Sequence, residues 1–199
     1  MTLFMDRDKR KNWRHRSNVW KGLAAGLAGG LAASWTMNQF QALLQKMAEG
    51  DARSHGAQSM QRGSPPHGVG RELQARGSDD EQDDATERIA SAISEGLFQH
   101  KLAKDEKERA GAAVHYAMGI TTGVLYGAVA ELLPEVTVGA GLPFGAFVWL
   151  TADEGAVPAL GLSKSPAEYP LSTHAYALSA HFVYGLTTEI VRRAVRRAL

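Results

Sequence analysis

Four long stretches with almost no charge constrain the fold of this 199-residue chain more than any other feature. They comprise residues 19–44, 110–133, 136–152 and 171–191. A helix needs about 20 predominantly apolar residues to cross the hydrocarbon core of a bilayer. A soluble bundle of Ala/Gly-rich helices is the alternative, but soluble helices present a polar face at every turn and these stretches do not. The sequence therefore predicts an all-α fold, an integral membrane helical bundle with four transmembrane helices at these ranges.

Glycine recurs at intervals of four residues within these stretches, which places the glycines of each helix on one face. In water an interior glycine costs about 1 kcal/mol relative to alanine. In lipid, by contrast, small residues allow helix backbones to approach closely. We therefore predict helix packing through Gly22, Gly26, Gly30, Gly119, Gly123, Gly127, Gly141, Gly145 and Gly185.

Basic residues flank the first and the last stretch. Residues 1–21 contain seven Lys/Arg and two Asp, and the final RRAVRRAL contains four Arg and no acid. Basic residues are enriched on the cytoplasmic side of membrane proteins, and four spans return the chain to its starting side. The basic segments 1–18 and 192–199 are therefore predicted to be cytoplasmic, with the first stretch retained as an uncleaved anchor.

Two loops and one further helix are predicted on the outer side. Residues 45–84 are rich in Gly, Ser, Pro and charge, which is typical of a flexible polar loop, and residues 153–170 form a second outer loop. Residues 85–108 are predicted to form an amphipathic extramembrane helix that lies on the membrane surface or covers the end of the bundle. Its apolar face comprises Ile89, Ala92, Ile93, Gly96 and Leu97.

Ionisable residues within the spans are the candidate functional groups, because a charge inside a membrane is costly. The predicted orientation gathers His115, His174, Asp153 and Glu154 near the outer end. Imidazoles and carboxylates in this combination could bind zinc or pass protons, whereas ordinary hydrogen bonding at the headgroup level is the alternative. Glu131 and Glu189 fall near the inner end.

His181 is the ionisable residue predicted to lie deepest in the membrane. Gly185 and Glu189 follow it at intervals of four, so the fourth span repeats the pattern of His115, Gly119 and Glu131. Two interpretations remain open for His181. It hydrogen-bonds across the bundle to a threonine such as Thr122 or Thr188, or it belongs to a His/Glu proton path.

Several other functions lack support in the sequence. The chain has no cysteine, which excludes disulfides and thiol chemistry. No phosphate-binding glycine loop, HExxH or GxSxG motif occurs, so an enzyme is not favoured and no cofactor is predicted. The basic N-terminal segment fits anionic lipid beside a span better than nucleic acid. The expected partners are membrane lipid, a second copy of the chain or another inner-membrane protein, and no nucleic acid.

Four segments carry a resemblance to a known family. WKGLAAGLAGGLAASW, HYAMGITTGVLYG, GLPFGAFVWLTADEGAVPALGL and HFVYGLTTE resemble successive blocks of the YagU-like family of bacterial inner-membrane proteins, whose molecular activity is uncharacterised. The resemblance covers the spans and much less of the loop before them. It implies a bacterial inner-membrane location and a similar helical architecture, and it supplies no catalytic residues.

Overall fold

The computed structural model describes residues 4–48, 83 and 85–199, and in this part of the chain the secondary structure is entirely helical. The long helices are α1 (Phe4–Ala48), α2 (Ala85–Phe98), α3 (Lys104–Leu132), α4 (Leu142–Thr151) and α5 (Leu171–Ala198). A π-helical turn, Ala152–Ala156, and a short helical turn, Val157–Ala159, continue α4. Short 3₁₀ segments occur at Pro134–Thr137 and Pro166–Glu168. The predicted flexible loop lies almost wholly outside the described residues.

Helix α1 packs along both α3 and α5, while α4 packs on α5 and α2 packs on α3. Helices α3 and α5 run in the same direction, because Tyr184 bonds to Gly119 and Arg196 bonds to Glu131 with the same offset of 65 residues. Helix α1 is antiparallel to α3, because Gly30 lies next to Gly119 and Gly22 lies next to Gly127. The bundle thus has two distinct ends, one near Glu131 and the other near the start of α3.

The nine glycines predicted to pack helices all lie where the bundle leaves no room for a side chain. A Cβ atom built on any of them would approach an atom of a neighbouring helix more closely than the 3.0 Å that real Cβ atoms respect. At Gly123 this atom would lie 2.6 Å from Gly30 Cα and 2.7 Å from Gly26 O. Close backbone approach therefore joins α1 to α3, and it joins α4 to α5 through Gly141, Gly145 and Gly185.

Many buried side chains of the bundle are small or polar, and many large apolar side chains are exposed. The largest fully buried side chains in the described part of the chain are Arg88, Leu162, Glu189, Thr173, Thr188, Ser34 and Ser91, of which one is aliphatic. Large apolar side chains point outward instead, with Trp35 58% and Phe147 63% exposed. A small apolar cluster of Ala33, Met37, Ala180 and Tyr184 lies between α1 and α5. This distribution is opposite to that of a water-soluble domain.

The third predicted span differs from the observed helix. Residues 136–141 are not part of α4, because Gly139, Ala140 and Gly141 all have positive φ angles, 79°, 55° and 88°, which an α-helix excludes. Pro143 then stands in the first turn of α4, where proline is well tolerated. At the other end the helical path continues to Ala159, so the first part of the predicted outer loop is helical.

The predicted amphipathic helix 85–108 is two elements. Helix α2 ends at Phe98, where Gln99 adopts a left-handed φ of 53° and the His100 N–H donates to the Ser94 carbonyl. Helix α3 then begins at Lys104, and the Ala103 N–H donates to Glu106 Oε2 over 2.8 Å. This hydrogen bond holds the pKa of the Glu106 carboxyl below its usual value.

By length and hydropathy, α3 is the single described helix that qualifies as a candidate membrane span. Helix α4 is short before its π turn. The all-helical fold is therefore confirmed for the described residues, and among the four predicted spans one helix qualifies by length and hydropathy.

Candidate functional site

Two histidine–carboxylate pairs lie where the π turn after α4 meets the first half of α5. His174 Nδ1 lies 2.6 Å from Glu154 Oε1, and His181 Nδ1 lies 3.7 Å from Asp153 Oδ2. The four side chains are between 9% and 20% exposed, so water reaches them only in part. The structure thus brings together four of the predicted ionisable residues.

The proton positions at His174 follow from its two partners. His174 Nε2 lies 3.1 Å from the Pro166 carbonyl, which can only accept a hydrogen bond, so Nε2 carries a proton. The contact with Glu154 requires a second proton between Nδ1 and the carboxyl oxygen. This pair therefore holds one shared proton at a partly buried position.

The π turn places the two acids beside α5. A π turn is wider than an α-helical turn and occurs mostly as a single-turn interruption of an α-helix, frequently at a functional site. Here the turn spans Ala152–Ala156 and contains both Asp153 and Glu154. Trp149, one turn earlier, packs edge-on against the His174 ring, with the ring centroids 6.5 Å apart. The sequence signals the acids but not the turn that positions them.

His181 has a different partner from the threonines considered in the sequence. Its Nδ1 donates to the Ala177 carbonyl of its own helix over 2.9 Å. Thr122 instead pairs with the Tyr184 hydroxyl at 2.7 Å, and Tyr184 donates to the Gly119 carbonyl at 2.6 Å. Tyr184 therefore supplies the hydroxyl that links α5 to α3.

The zinc-binding alternative finds no support among the described residues, where no group of three or more His, Asp or Glu side chains converges to hold a metal ion. His115 packs edge-on against Tyr116, its neighbour in α3, with ring centroids 5.9 Å apart. The paired geometry at His174 and His181 suits proton exchange better than metal coordination.

The two glutamates at the opposite end are paired with arginines of α5. Glu189, 1% exposed, accepts from Arg192 through both carboxylate oxygens, at 2.7 and 2.9 Å, and also contacts Arg193. Glu131 of α3 accepts from Arg196 at 2.6 and 3.2 Å. The sequence interpretation assigned these arginines to a cytoplasmic tail and missed the pairing. The spacing of Arg192 and Arg193, three and four residues after Glu189, is the signal that could have predicted their pairing with it.

Tyr126 connects this ion-pair cluster to α4. The Arg192 guanidinium lies 5.9 Å from the centroid of the Tyr126 ring, and that ring stacks on Phe144 at 4.1 Å. The buried charge is therefore bordered by aromatic rings, which favour the guanidinium group through cation–π attraction.

A third polar cluster attaches α2 to the bundle. Lys107 Nζ lies 2.7 Å from Asp83 Oδ2, and both side chains are less than 10% exposed. Arg88 donates through Nη1 to the Leu162 carbonyl at 2.9 Å. Burial of these residues was not predicted from the sequence, because an exposed charged face is the usual expectation for an amphipathic helix.

Comparison with known proteins gives a family and no closer relative. No curated protein and no solved structure shows significant similarity to the chain. The profile of one family, described as "Protein of unknown function (DUF1440)", matches residues 91–190. The matched region includes α3, α4, both histidine–carboxylate pairs and Glu189. Since it covers half of the sequence, the chain belongs to the DUF1440 family.

Proposed function

We propose that the protein is an integral membrane bundle with a structural or accessory role in the bacterial inner membrane. The inverted distribution of side chains carries this proposal. Outward-facing Trp35, Phe147 and Leu150 are all more than half exposed, whereas Thr188 and Glu189 are buried. In water this arrangement would expose apolar area and bury polar groups, both at a cost. In a bilayer the same arrangement is favourable.

The proposed topology has four spans and cytoplasmic termini. Helices α1, α3 and α5 supply three spans, and α4 with its continuation to Ala159 supplies the fourth. Lys21, Arg192, Arg193 and Arg196 all lie at the Glu131 end, which makes that end cytoplasmic by the enrichment of basic residues there. The resemblance to the YagU-like family supports the bacterial inner membrane as the location. The partners we propose are lipid, a second copy or another protein of that membrane.

Cysteine labelling tests this topology, because the chain contains no cysteine of its own. We expect Lys164→Cys to react with an impermeant maleimide in intact cells. We expect Glu135→Cys, in the segment between α3 and α4, to react only after the membrane is opened. Both positions are exposed on the surface of the protein, so a difference in labelling between them reports the side of the membrane and not burial within the protein. The opposite labelling pattern, or release of the protein by alkaline carbonate, would contradict the proposal.

A second candidate function is proton transfer, which the geometry at His174 favours. His174 and Glu154 share a proton, and a second imidazole, that of His181, lies two turns further along α5 and 3.7 Å from Asp153. Titratable groups in such a series are what a proton relay requires. The pairs lie in the half of the bundle opposite Glu131, so they would form the outer part of a proton path that crosses the bundle.

Vesicles containing a trapped pH dye can measure this activity. If the relay conducts, wild-type protein should dissipate an imposed pH gradient, and His174→Gln or His181→Gln should reduce the protein-dependent rate about tenfold or more, since an amide does not titrate near neutrality. His100→Gln is the matched control, because its side chain is 59% exposed and lies between α2 and α3. Equal rates in wild type and the two variants would refute proton transfer and leave the structural role.

A further inference from the structure

Helix α2 is attached to the bundle through its polar side. Glu87, Arg88 and Ser91 are all less than 10% exposed, whereas Leu97 and Phe98 are 75% and 74% exposed. A Cβ atom built on Gly96 would meet nothing within 4 Å. Of the apolar face predicted from the sequence, Ile93, Gly96 and Leu97 are therefore exposed, whereas Ile89 and Ala92 are partly buried.

The attachment points fix the level of the first turn of α2 along the bundle. Asp83 pairs with Lys107, and the Glu87 side chain lies against Gly111 in the second turn of α3. The charge-poor part of α3 begins at Ala110. Helix α2 therefore meets α3 where its polar first turn gives way to its apolar length, which is the boundary between water and lipid under the proposed topology.

Other elements expose apolar side chains at the same level. Because α3 and α5 run parallel with an offset of 65 residues, Leu171 at the start of α5 is level with Glu106. Leu171 is 86% exposed, and Leu160, just before the Leu162 carbonyl that binds Arg88, is 41% exposed. The exposed apolar side chains thus come from three separate elements around one end of the bundle.

We propose that α2 lies in the outer interface of the bilayer, with Leu97 and Phe98 inserted among the lipid chains. This inference rests on the proposed membrane location of the bundle. A partner protein would cover one patch, whereas a bilayer contacts exposed apolar side chains of several elements around one end of the bundle, such as Leu97, Leu160 and Leu171. An amphipathic helix binds an interface by burying its apolar face at the boundary of headgroups and chains. The polar contacts of α2 with α3 hold the helix in this orientation.

Single cysteines carrying an environment-sensitive fluorophore test this placement in nanodiscs of phosphatidylcholine. We expect a label at Leu97→Cys to be quenched about twofold more strongly by lipid with a nitroxide near the headgroup than by lipid with a nitroxide at the chain end, as for a helix in the interface. A label at Lys104→Cys, exposed at the start of α3, is the water-facing control. Phe98→Cys repeats the measurement at a second position.

A label at Leu125→Cys separates this inference from the proposed function. Leu125 is 59% exposed in the middle of α3 and should be quenched by the deep nitroxide if the bundle spans the bilayer. If Leu125 is quenched and Leu97 behaves like Lys104, the interfacial placement is refuted and the membrane bundle stands. If Leu97 is shielded from water but unquenched, protein covers it and the inference is also refuted. If Leu125 is not quenched, the proposed function fails and this inference fails with it.

Discussion

Substitution of Gly123 by leucine should unfold the bundle or lower its stability in detergent by about 3 kcal/mol or more. A single Cβ atom at this position already lies too close to Gly30 Cα and Gly26 O, so α1 and α3 must separate. Overpacking of a close-packed interior costs about 1 to 3 kcal/mol even where side chains can move. At Gly123 the opposing atoms are backbone, which cannot rotate away. The measurement is the thermal unfolding midpoint in one detergent, wild type against variant.

Substitution by alanine at Gly96 and at Gly123 gives a matched pair of smaller changes, with Gly96 as the control. Gly96→Ala adds a methyl group to α2 where nothing lies within 4 Å, and alanine has the higher helix propensity. We therefore expect Gly96→Ala to leave the midpoint unchanged or raise it, and Gly123→Ala to lower it. An unchanged midpoint in Gly123→Ala and Gly123→Leu would show that this face of α3 does not pack against α1.

Substitution of Glu189 by glutamine should cost about 3 to 5 kcal/mol, because it leaves the Arg192 guanidinium buried without a counter-charge. The Arg192 side chain is 8% exposed and makes its two hydrogen bonds to Glu189. The double variant Glu189→Gln/Arg192→Gln removes both charges and should recover part of the loss. Chemical unfolding in detergent measures the free energy of unfolding of the wild type, the single variant and the double variant.

Glu135→Gln provides the control for charge removal alone. Glu135 lies in the exposed 3₁₀ segment after α3, so its neutralisation should change stability by less than about 0.5 kcal/mol. A loss at Glu189 no larger than that at Glu135 would contradict the assignment of a buried ion pair. A double variant less stable than Glu189→Gln would show that Arg192 is stabilised by Tyr126 and not by the carboxylate.

The sequence predicted the helices well and their ends less well. Spacing and composition identified the all-helical fold and the glycines where backbones meet, because both depend on local pattern. The start of α4 at Leu142 depends on three consecutive left-handed residues, of which Ala140 carries no compositional signal. The break at Gln99 depends in the same way on a conformation that glutamine seldom adopts.

For the candidate site, too, the residues could be predicted from the sequence but their exact pairing could not. The sequence singled out His174, His181, Asp153 and Glu154 and placed most of them at one end. The pairing of each histidine with a particular acid depends on the π turn, which has no known residue signature in this segment. The partners of Glu189 and Glu131 were missed because arginines after a span have a sufficient explanation in membrane orientation. Burial of Arg88 and Lys107 was missed because helix amphipathicity does not reveal which face meets the protein.

The position of α1 between α3 and α5 has a consequence for biogenesis. Gly29 of α1 meets the backbone of Thr188 in α5, and its other glycines meet α3. Membrane helices insert individually before they associate, and synthesis proceeds from the N-terminus. If the bundle spans the bilayer as proposed, α1 is therefore inserted before α3 and α5, and its glycine-lined faces stay open until α5 has been made. During this interval an insertase or chaperone able to shield small-residue faces would protect the nascent chain from pairing with the wrong neighbour.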